Sequence, residues 1–237
     1  MLRVSDLRAG YGTAAVLRGV SLSLDAGECV AILGRNGAGK TTLMRAISGT
    51  IACTATKLTL DGTDLAPLRP HERARRGLAY VPQGRDIFPK LTVAENLRVG
   101  TATSSRSARK SINSRLGEIY DEFPQLAAKR RARGGSLSGG QQQILALARA
   151  LVCEPKALLL DEPSEGIQPS IRDQIAELIA RINTIQKIAV LLVEQNLEFA
   201  TQVARRALVM QKGEITERLN TTDLKQPTQH LRRSLAL

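Results

Sequence analysis

A glycine-rich segment near the start of this 237-residue chain constrains its fold more than any other feature. Residues 34–41 read Gly-Arg-Asn-Gly-Ala-Gly-Lys-Thr and match the pattern G-x-x-x-x-G-K-[ST] in full. An apolar run precedes the segment at Glu28–Leu33. Apolar residues at helical spacing follow it over Lys40–Ser48, and Gly49 is placed to end a helix there. A strand, a glycine turn and a helix in this order predict the start of an α/β unit.

The same segment has the chemistry of a phosphate-binding loop. Glycines let consecutive backbone N–H groups converge on phosphate oxygens, and the positive end of the following helix points to the same place. In such a loop the lysine reaches the β- and γ-phosphates and the threonine hydroxyl binds Mg²⁺. A glycine-rich connection without a ligand is the alternative. The residues predicted to line the loop are Gly34, Arg35, Asn36, Gly37, Ala38, Gly39, Lys40, Thr41 and Thr42.

An acidic pair follows a second apolar run, Ala157–Leu160. Asp161 stands at the end of a strand that reads as buried, where it can hold Mg²⁺ through water. Glu162 is the next residue and can act as the general base that polarises an attacking water. A strand that ends in acids by chance is the alternative, and the phosphate loop makes it the weaker one.

The chain carries a formal net charge of +12, from 34 Lys and Arg against 22 Asp and Glu. Such an excess is compatible with binding to nucleic acid, with binding to an anionic membrane surface, or with a basic protein face that is only solvated. Many of the basic residues fall within residues 106–133. Aromatic residues make up only 3% of the chain, which disfavours a protein that stacks the bases of single strands.

The longest unbroken apolar run is six residues, Ile188–Val193, whereas a membrane span needs about 20. The N-terminus lacks the apolar stretch of a secretory signal, so we expect a cytoplasmic location. Cys29, Cys53 and Cys153 show no metal-ligand spacing, and we expect them to be small buried hydrophobic residues.

The rest of the chain alternates between strand and helix patterns. Thr92 and Glu95 form a capping-box pair at the start of a short helix. Ser170 is expected to cap a long amphipathic helix that reaches Ile182. Further predicted elements are helices over 112–123 and 144–151, buried strands at 157–160 and 188–193, a hairpin of 207–210 with 214–218, a polar loop at 101–107, and a loose tail or short helix beyond Thr221.

A third motif, Leu137-Ser138-Gly139-Gly140-Gln141, lies 98 residues after Lys40 and before a helix. With the two motifs above, it resembles the signature motif of the ABC ATPases. Ser138 and the glycine amides would form an anion site at the helix N-terminus. The resemblance implies that this site binds the γ-phosphate of ATP held by an opposite subunit. It therefore implies a dimer that sandwiches two ATP molecules, with a copy of this chain or a homologous ATPase as the second subunit.

The resemblance also assigns roles to single residues. Tyr11 is similar to the aromatic that stacks on adenine, with Val16 nearby; an ordinary strand aromatic is the alternative. Gln83 resembles the glutamine that contacts Mg²⁺ and links the core to a helical subdomain. Glu162 and Lys40 take catalytic roles in the family, as does the histidine that most members carry where this chain has Gln195. The implied cofactors are ATP and Mg²⁺.

The fold implied by the resemblance is α/β: a RecA-like P-loop NTPase core with a mostly parallel sheet, an antiparallel β subdomain and an inserted α-helical subdomain. Residues 1–237 would form one ABC ATPase domain. Its core would comprise 1–83 and 155–219, its helical subdomain with the signature 84–154, and its tail 220–237.

Two departures from the family pattern help to indicate which class of transporter the chain resembles. Gln195 can donate a hydrogen bond but cannot hold a proton or a charge, and Gln168 stands where many relatives have Asp. The segment 165–169 with Val193-Glu-Gln-Asn is similar to ATPase subunits of hydrophobic-amino-acid uptake systems. Segments 81–88 and 137–143 resemble the branch of these systems that imports urea. We therefore favour urea as the solute, with branched-chain amino acids as the alternative.

The resemblance therefore implies an importer ATPase that binds a separate membrane permease on the cytoplasmic face of the inner membrane. Three alternatives remain: a DNA-associated ABC ATPase, an exporter subunit and a module that binds ATP without turnover. The charge favours the first, but such proteins usually insert a long coiled coil between the two motifs. Here Ser138 lies only 98 positions after Lys40, and no sustained heptads appear. No nucleic-acid partner is expected.

Overall fold

The computed structural model describes residues 1–101 and 112–225. The strands are β1 (Leu2–Tyr11), β2 (Ala14–Leu24), β3 (Cys29–Leu33), β4 (Cys53–Thr54), β5 (Lys57–Leu60), β6 (Thr63–Asp64), β7 (Leu78–Val81), β8 (Ala157–Asp161), β9 (Ala189–Glu194), β10 (Arg206–Gln211) and β11 (Glu214–Asn220). The helices are α1 (Lys40–Ser48), α2 (Pro70–Arg75), α3 (Val93–Gly100), α4 (Ile112–Glu122), α5 (Pro124–Ala128), α6 (Gly139–Leu151), α7 (Pro169–Thr184), α8 (Leu197–Val203) and α9 (Thr221–Lys225), and a 3₁₀ turn spans Gly134–Ser136.

The central sheet has the strand order β11-β10-β3-β9-β8-β7 and is parallel except for the β10–β11 hairpin. Every residue of β3, β8 and β9 is buried. Continuous burial is typical of parallel strands that are covered on both faces, because their connections place other layers there. The predicted buried strands and the hairpin are therefore confirmed, with β8 and β9 each reaching one acidic residue further than the apolar pattern.

A second, antiparallel sheet has the order β2-β1-β5-β6, with β4 paired to β1. Its apolar face and one face of the central sheet enclose α1 in a single hydrophobic cluster. Helices α6, α7 and α8 pack in a second cluster on the opposite face of the central sheet, together with apolar residues of α3, α4 and α5. The predicted α/β fold with a mostly parallel sheet is confirmed.

Two local predictions need correction. Ser170 does not cap α7, because the helix begins at Pro169 and Gln168 occupies the N-cap. Proline suits the first helical position, since its missing N–H would have no partner there and its φ is preset. Of the three cysteines, Cys29 is buried as expected, whereas Cys53 and Cys153 are only partly buried.

Some predicted features lie outside the described residues: most of the polar loop at 101–107, the basic residues Arg106, Arg109 and Lys110, and the tail from 226 onward. Within 1–101 and 112–225, no helix has the length and apolar character that crossing a membrane requires.

A buried arginine ties α2 to the end of α1. Arg73 is only 3% exposed. Its guanidinium donates to the carbonyl oxygens of Ala46 and Ile47 at 2.8 Å each, and its Nε donates to the carbonyl of Leu68 at 3.0 Å. These carbonyls include the last ones of α1, which have no partner within the helix. Arg73 therefore fixes the far end of the helix that begins at the phosphate loop.

We predict that Arg73→Ala lowers the free energy of unfolding by about 2–3 kcal/mol, because buried carbonyls lose a charged donor. Arg75→Ala is the matched control, since Arg75 is an exposed arginine on the same helix, and its effect should stay within about 0.5 kcal/mol. Urea denaturation of both variants measures the difference. Equal effects of the two substitutions would contradict the role given to Arg73.

Candidate functional site

The site forms where three neighbouring parallel strands end. In the central sheet β9 lies between β3 and β8, with Leu33 opposite Glu194 and Asp161 opposite Val193. The loops that follow these strands therefore open at one edge of the sheet. In open α/β sheets, ligands bind at this carboxyl edge. The phosphate loop, the acidic pair and the Gln195 loop meet there although they are far apart in sequence.

The phosphate loop runs directly from β3 into α1. Gly39 is the N-cap of α1 with φ 104°, and no side chain caps this helix start. Its positive φ disfavours any residue with a side chain, and a Cβ there would also crowd the side chains of Leu17, Val16 and Met210. The first N–H groups of α1 therefore point out of the loop without a competing side-chain acceptor, which is the arrangement that binds phosphate.

Lys40 folds back over this loop. Lys40 as a whole is only 5% exposed. Its ammonium group donates to the carbonyl oxygens of Gly34 at 2.7 Å and Arg35 at 3.2 Å. The same Nζ lies 3.6 Å from Oε1 of Glu162. The lysine thus places a positive charge between the loop and the acidic pair, where it is shielded from water.

Asp161 ends β8 beside the start of α1. Its Oδ1 accepts a hydrogen bond from the Thr41 hydroxyl at 3.3 Å, and its Oδ2 accepts one from the Tyr80 hydroxyl at 3.2 Å. Burial raises the pKa of Asp161, and the charge of Glu162 acts in the same direction. A hydroxyl and a carboxylate oxygen side by side are the hard oxygen donors that Mg²⁺ prefers, so the residues present fit that ion.

Glu162 is held by three side chains, which come from the loop after β7, the loop after β9 and the start of α1. Gln195 donates through Nε2 to Oε1 at 2.8 Å, Gln83 donates through Nε2 to Oε2 at 3.2 Å, and Lys40 approaches Oε1. Its backbone has φ 50°, and its N–H donates to the carbonyl of Val193 at 2.9 Å. Gln83 also donates to Oε2 of Glu165 at 2.9 Å. The carboxylate is therefore fixed in one orientation at the sheet edge.

The two residues expected near adenine lie close to the phosphate loop or to the helix that follows it. Tyr11 ends β1 and is half-exposed, and its hydroxyl accepts a hydrogen bond from Arg45 of α1 at 3.3 Å. The side chain of Val16 lies next to Gly39 of the loop. The structure thus places Val16 beside the phosphate loop and joins Tyr11 to the helix that follows this loop.

The signature segment forms a separate helix start. Ser138 is the N-cap of α6, where Ser138 and Gln141 form a capping box, and Gln141 also accepts from Lys129 at 3.1 Å. Gly140 packs closely against Ile171 of α7, and Gly139 against the guanidinium of Arg85. Within the described ranges, no hydrogen bond joins Ser138 or Gln141 to the phosphate loop of the same chain.

Sequence reasoning missed two residues at this edge. Tyr80 was given no role, yet its hydroxyl donates to Oδ2 of Asp161, and burial raises the pKa of that hydroxyl. Glu194 is buried and accepts hydrogen bonds from three backbone N–H groups of two loops. The one sequence feature that could have indicated Glu194 is its position as an acidic residue at the end of an apolar strand, which Asp161 shares.

Comparison with known sequences identifies the family. The sequence pattern described as ABC transporter matches residues 17–165, which is more than half of the chain. A probable branched-chain amino acid transport ATP-binding protein from Archaeoglobus fulgidus is 34% identical over 91% of this chain and 90% of its own length. A high-affinity branched-chain amino acid transport ATP-binding protein from Pseudomonas aeruginosa is 37% identical over 91% of both chains. The lipopolysaccharide export system ATP-binding protein of Escherichia coli is 33% identical over 98% of this chain and 95% of its own length.

Solved structures agree at the level of the fold. A structure described as the ATP-binding subunit of an ABC transporter covers the whole of both chains with a TM-score of 0.85 and 25% identity. A nucleotide-free cassette of an ABC transporter covers 100% of this chain and 98% of its own, with a TM-score of 0.88 and 23% identity. The chain therefore belongs to the ABC transporter family, and its fold is that of an ATP-binding cassette.

Proposed function

We propose that this protein is the ATP-binding and ATP-hydrolysing subunit of an ABC importer, which couples MgATP hydrolysis to uptake of a small solute through a separate membrane permease. The observation that carries the proposal is the Glu162 carboxylate, fixed between Gln83, Gln195 and Lys40 beside the phosphate loop. A protein that only binds nucleotide does not need a buried carboxylate held beside the phosphate loop, so this group favours hydrolysis over binding alone.

Binding of ATP starts from an exchange of partners at Lys40. The ammonium now donates to carbonyl oxygens of its own loop, and the β- and γ-phosphates replace these acceptors. The N–H groups of the loop and of the first turn of α1 bind the remaining phosphate oxygens. The adenine stacks on the half-exposed ring of Tyr11, next to Val16.

Thr41 and Asp161 would hold Mg²⁺, with Gln83 as the further residue expected to contact it. The ion, when bound, neutralises negative charge on the phosphates. The chain itself keeps Asp161 in place for this role, because the hydroxyls of Thr41 and Tyr80 each donate to one of its oxygens.

Hydrolysis uses Glu162 as general base. A water attacks the γ-phosphorus in line, the new P–O bond forms as the bond to the β–γ bridging oxygen breaks, and the proton of the water passes to Glu162. The two glutamine amides donate hydrogen bonds to the carboxylate but take no proton. Lys40 neutralises the charge that develops on the phosphate oxygens. Glu162 is thus the group near the γ-phosphate that accepts the proton.

The signature residues complete the site of a second subunit in this proposal. Ser138, Gly139, Gly140 and Gln141 start α6 on a surface that makes no hydrogen bond to the chain's own phosphate loop among the described residues. An uncharged helix start with glycines gives a phosphate close access to backbone N–H groups. A copy of this chain or a homologous ATPase would supply the facing phosphate loop, and two ATP molecules would lie between the subunits.

A groove between the helical layer and the core supports a permease as the partner. It has a volume of about 250 Å³ and is lined by exposed Phe88 and Val99 and by Arg149 of α6. The Arg149 guanidinium lies 5.2 Å from the Phe88 ring centre and donates through Nη2 to the carbonyl of Asp86 at 2.7 Å. Its buried Nη1 has no hydrogen-bond partner among the described residues. An apolar groove with one unmatched cationic donor fits a short helix that ends in carbonyls or carries a carboxylate.

The names of the relatives support branched-chain amino acids as one solute class, and urea, favoured by segments 81–88 and 137–143, stays a prediction. An exporter is the second candidate, because the relative named for lipopolysaccharide export matches almost the full length of this chain. As a transporter subunit with no spanning helix among its described residues, the chain would associate with the cytoplasmic face of the inner membrane through its permease.

We predict that Glu162→Gln lowers the turnover number for MgATP at least about 100-fold while the dissociation constant for MgATP changes less than about twofold. The amide keeps the size of the side chain but cannot accept the proton of the water. Phosphate release and binding of a fluorescent ATP analogue measure the two quantities. Glu165→Gln is the matched control, because Glu165 is an exposed neighbour that also contacts Gln83, and it should retain turnover within a few-fold. Wild-type rates in Glu162→Gln would refute the assignment of the base.

We also predict which membrane proteins the chain binds. Affinity purification from detergent-solubilised native membranes, followed by mass spectrometry, should recover permease subunits of an importer with the wild-type chain. Phe88→Ala should reduce this recovery by about tenfold, since it empties the apolar part of the groove. Ile185→Ala removes an even more exposed apolar side chain elsewhere and should leave recovery unchanged. Recovery of lipopolysaccharide export subunits would favour the exporter, and DNA-bound proteins without a permease would contradict the transport proposal.

A further inference from the structure

Glu194 is a buried acid at the end of β9 to which the mechanism above assigns no role. It is 2% exposed. Its Oε1 accepts a hydrogen bond from the backbone N–H of Ser164 at 3.0 Å, in the loop after β8. Its Oε2 accepts from the backbone N–H groups of Gln195 at 3.1 Å and Asn196 at 3.2 Å, in the loop after β9. One carboxylate therefore joins two loops of the site through their backbones.

This arrangement lowers the stability of the fold, which suggests that the buried acid serves another purpose. Burying a carboxylate costs free energy, and burial raises the pKa of Glu194. The interactions that oppose this rise are hydrogen bonds from Ser164, Asn196 and Gln195. Apolar residues occupy the rest of β9, so a buried acid is not what the sheet itself requires. What the acid provides is an acceptor for backbone N–H groups that no strand partner satisfies.

The two loops that Glu194 joins carry the two partners of one hydrogen bond at the reacting centre. Gln195 donates through its side chain to Oε1 of Glu162 at 2.8 Å. Glu194 holds the backbone N–H of Gln195 with one oxygen, and with the other it holds Ser164, two residues after Glu162. Both ends of the Gln195–Glu162 contact are therefore positioned from the same buried group.

We propose that Glu194 is a positioning residue for hydrolysis, which keeps the Gln195 amide and the Glu162 carboxylate in register. The inference rests on the proposed ATPase function and deepens it. Glu194 binds the backbone of the two loops, and its effect on Glu162 passes through Gln195. Loss of Glu194 then slows the chemical step and leaves the phosphate loop, and with it nucleotide binding, unchanged.

The test is a double-mutant cycle of Glu194→Gln with Gln195→Ala. The amide of Glu194→Gln has one acceptor oxygen, and its NH₂ group faces backbone N–H donors, so at least one loop loses its anchor. We expect Glu194→Gln alone to lower the turnover number for MgATP by about tenfold, a loss typical of one charge-assisted hydrogen bond, with KM within about twofold. In the Gln195→Ala background the same substitution should change turnover less than about twofold, because the contact that Glu194 positions is already absent.

Glu198→Gln is the matched control, because Glu198 is an exposed glutamate at the start of α8, four positions further along the chain. It should leave turnover and the thermal midpoint unchanged. Thermal unfolding is recorded for every variant, and turnover is compared well below each midpoint. If Glu194→Gln does not fold, Glu194→Asp replaces it, since this variant keeps the charge but is one methylene too short to reach both loops.

Two results would overturn the proposal. Turnover at the wild-type level in a folded Glu194 variant would leave Glu194 with a structural role only. Equal losses from Glu194→Gln in the wild-type and Gln195→Ala backgrounds would mean that it does not act through Gln195. Failure of the proposed function is a different outcome, because the wild-type chain itself would then release no phosphate from MgATP.

Discussion

The side-by-side parallel pairing of β3, β9 and β8 is the constraint on which the site depends. Because the three strands run in the same direction and in fixed register, Leu33, Glu194 and Asp161 end at one edge of the sheet. The chain then leaves this edge through three loops that carry a phosphate-binding turn, a glutamine and an acidic pair. A change in strand order would separate these groups without altering any of the motifs.

The electrostatics of this edge follow from burial. Asp161, Glu162 and Glu194 lie at one edge of the sheet and are all buried, which would be unfavourable without hydrogen-bond donors. Each has its own set of donors: hydroxyls for Asp161, two amides and an ammonium for Glu162, and backbone N–H groups for Glu194. We propose that the different donors suit the three acids to different roles. Asp161 is suited to a metal, Glu162 to a proton, and Glu194 to holding backbone.

Local features were predictable from the sequence because short-range rules determine them. The helix Lys40–Ser48 and its end at Gly49 agree with the prediction residue for residue, since a glycine loop and an αL glycine set its limits. The capping box predicted at Thr92 and Glu95 is confirmed, since the spacing of the two residues defines it. The structure shows the same motif at Ser138 and Gln141, where none was predicted. The prediction for Ser170 was wrong because Pro169 competes for the same helix start.

Contacts between distant residues were not predictable in this way. Tyr80 reaches Asp161 across 81 positions of sequence, and Arg73 caps α1 from a helix 26 residues away. The local sequence around Tyr80 or Arg73 does not indicate its partner, because the register and packing of the whole sheet decide which side chains meet. The same holds for Glu194, whose partners lie on two loops that only the strand order brings together.

Whether this sheet edge binds and hydrolyses MgATP is best tested by comparing the wild-type chain with Lys40→Ala. Binding of MgATP by calorimetry and phosphate release are recorded for both, with Lys57→Ala as a control at an exposed lysine of the antiparallel sheet. The account predicts binding and turnover in the wild type and in Lys57→Ala, and the loss of both in Lys40→Ala. An unchanged dissociation constant in Lys40→Ala, or a wild-type chain that releases no phosphate, would contradict it.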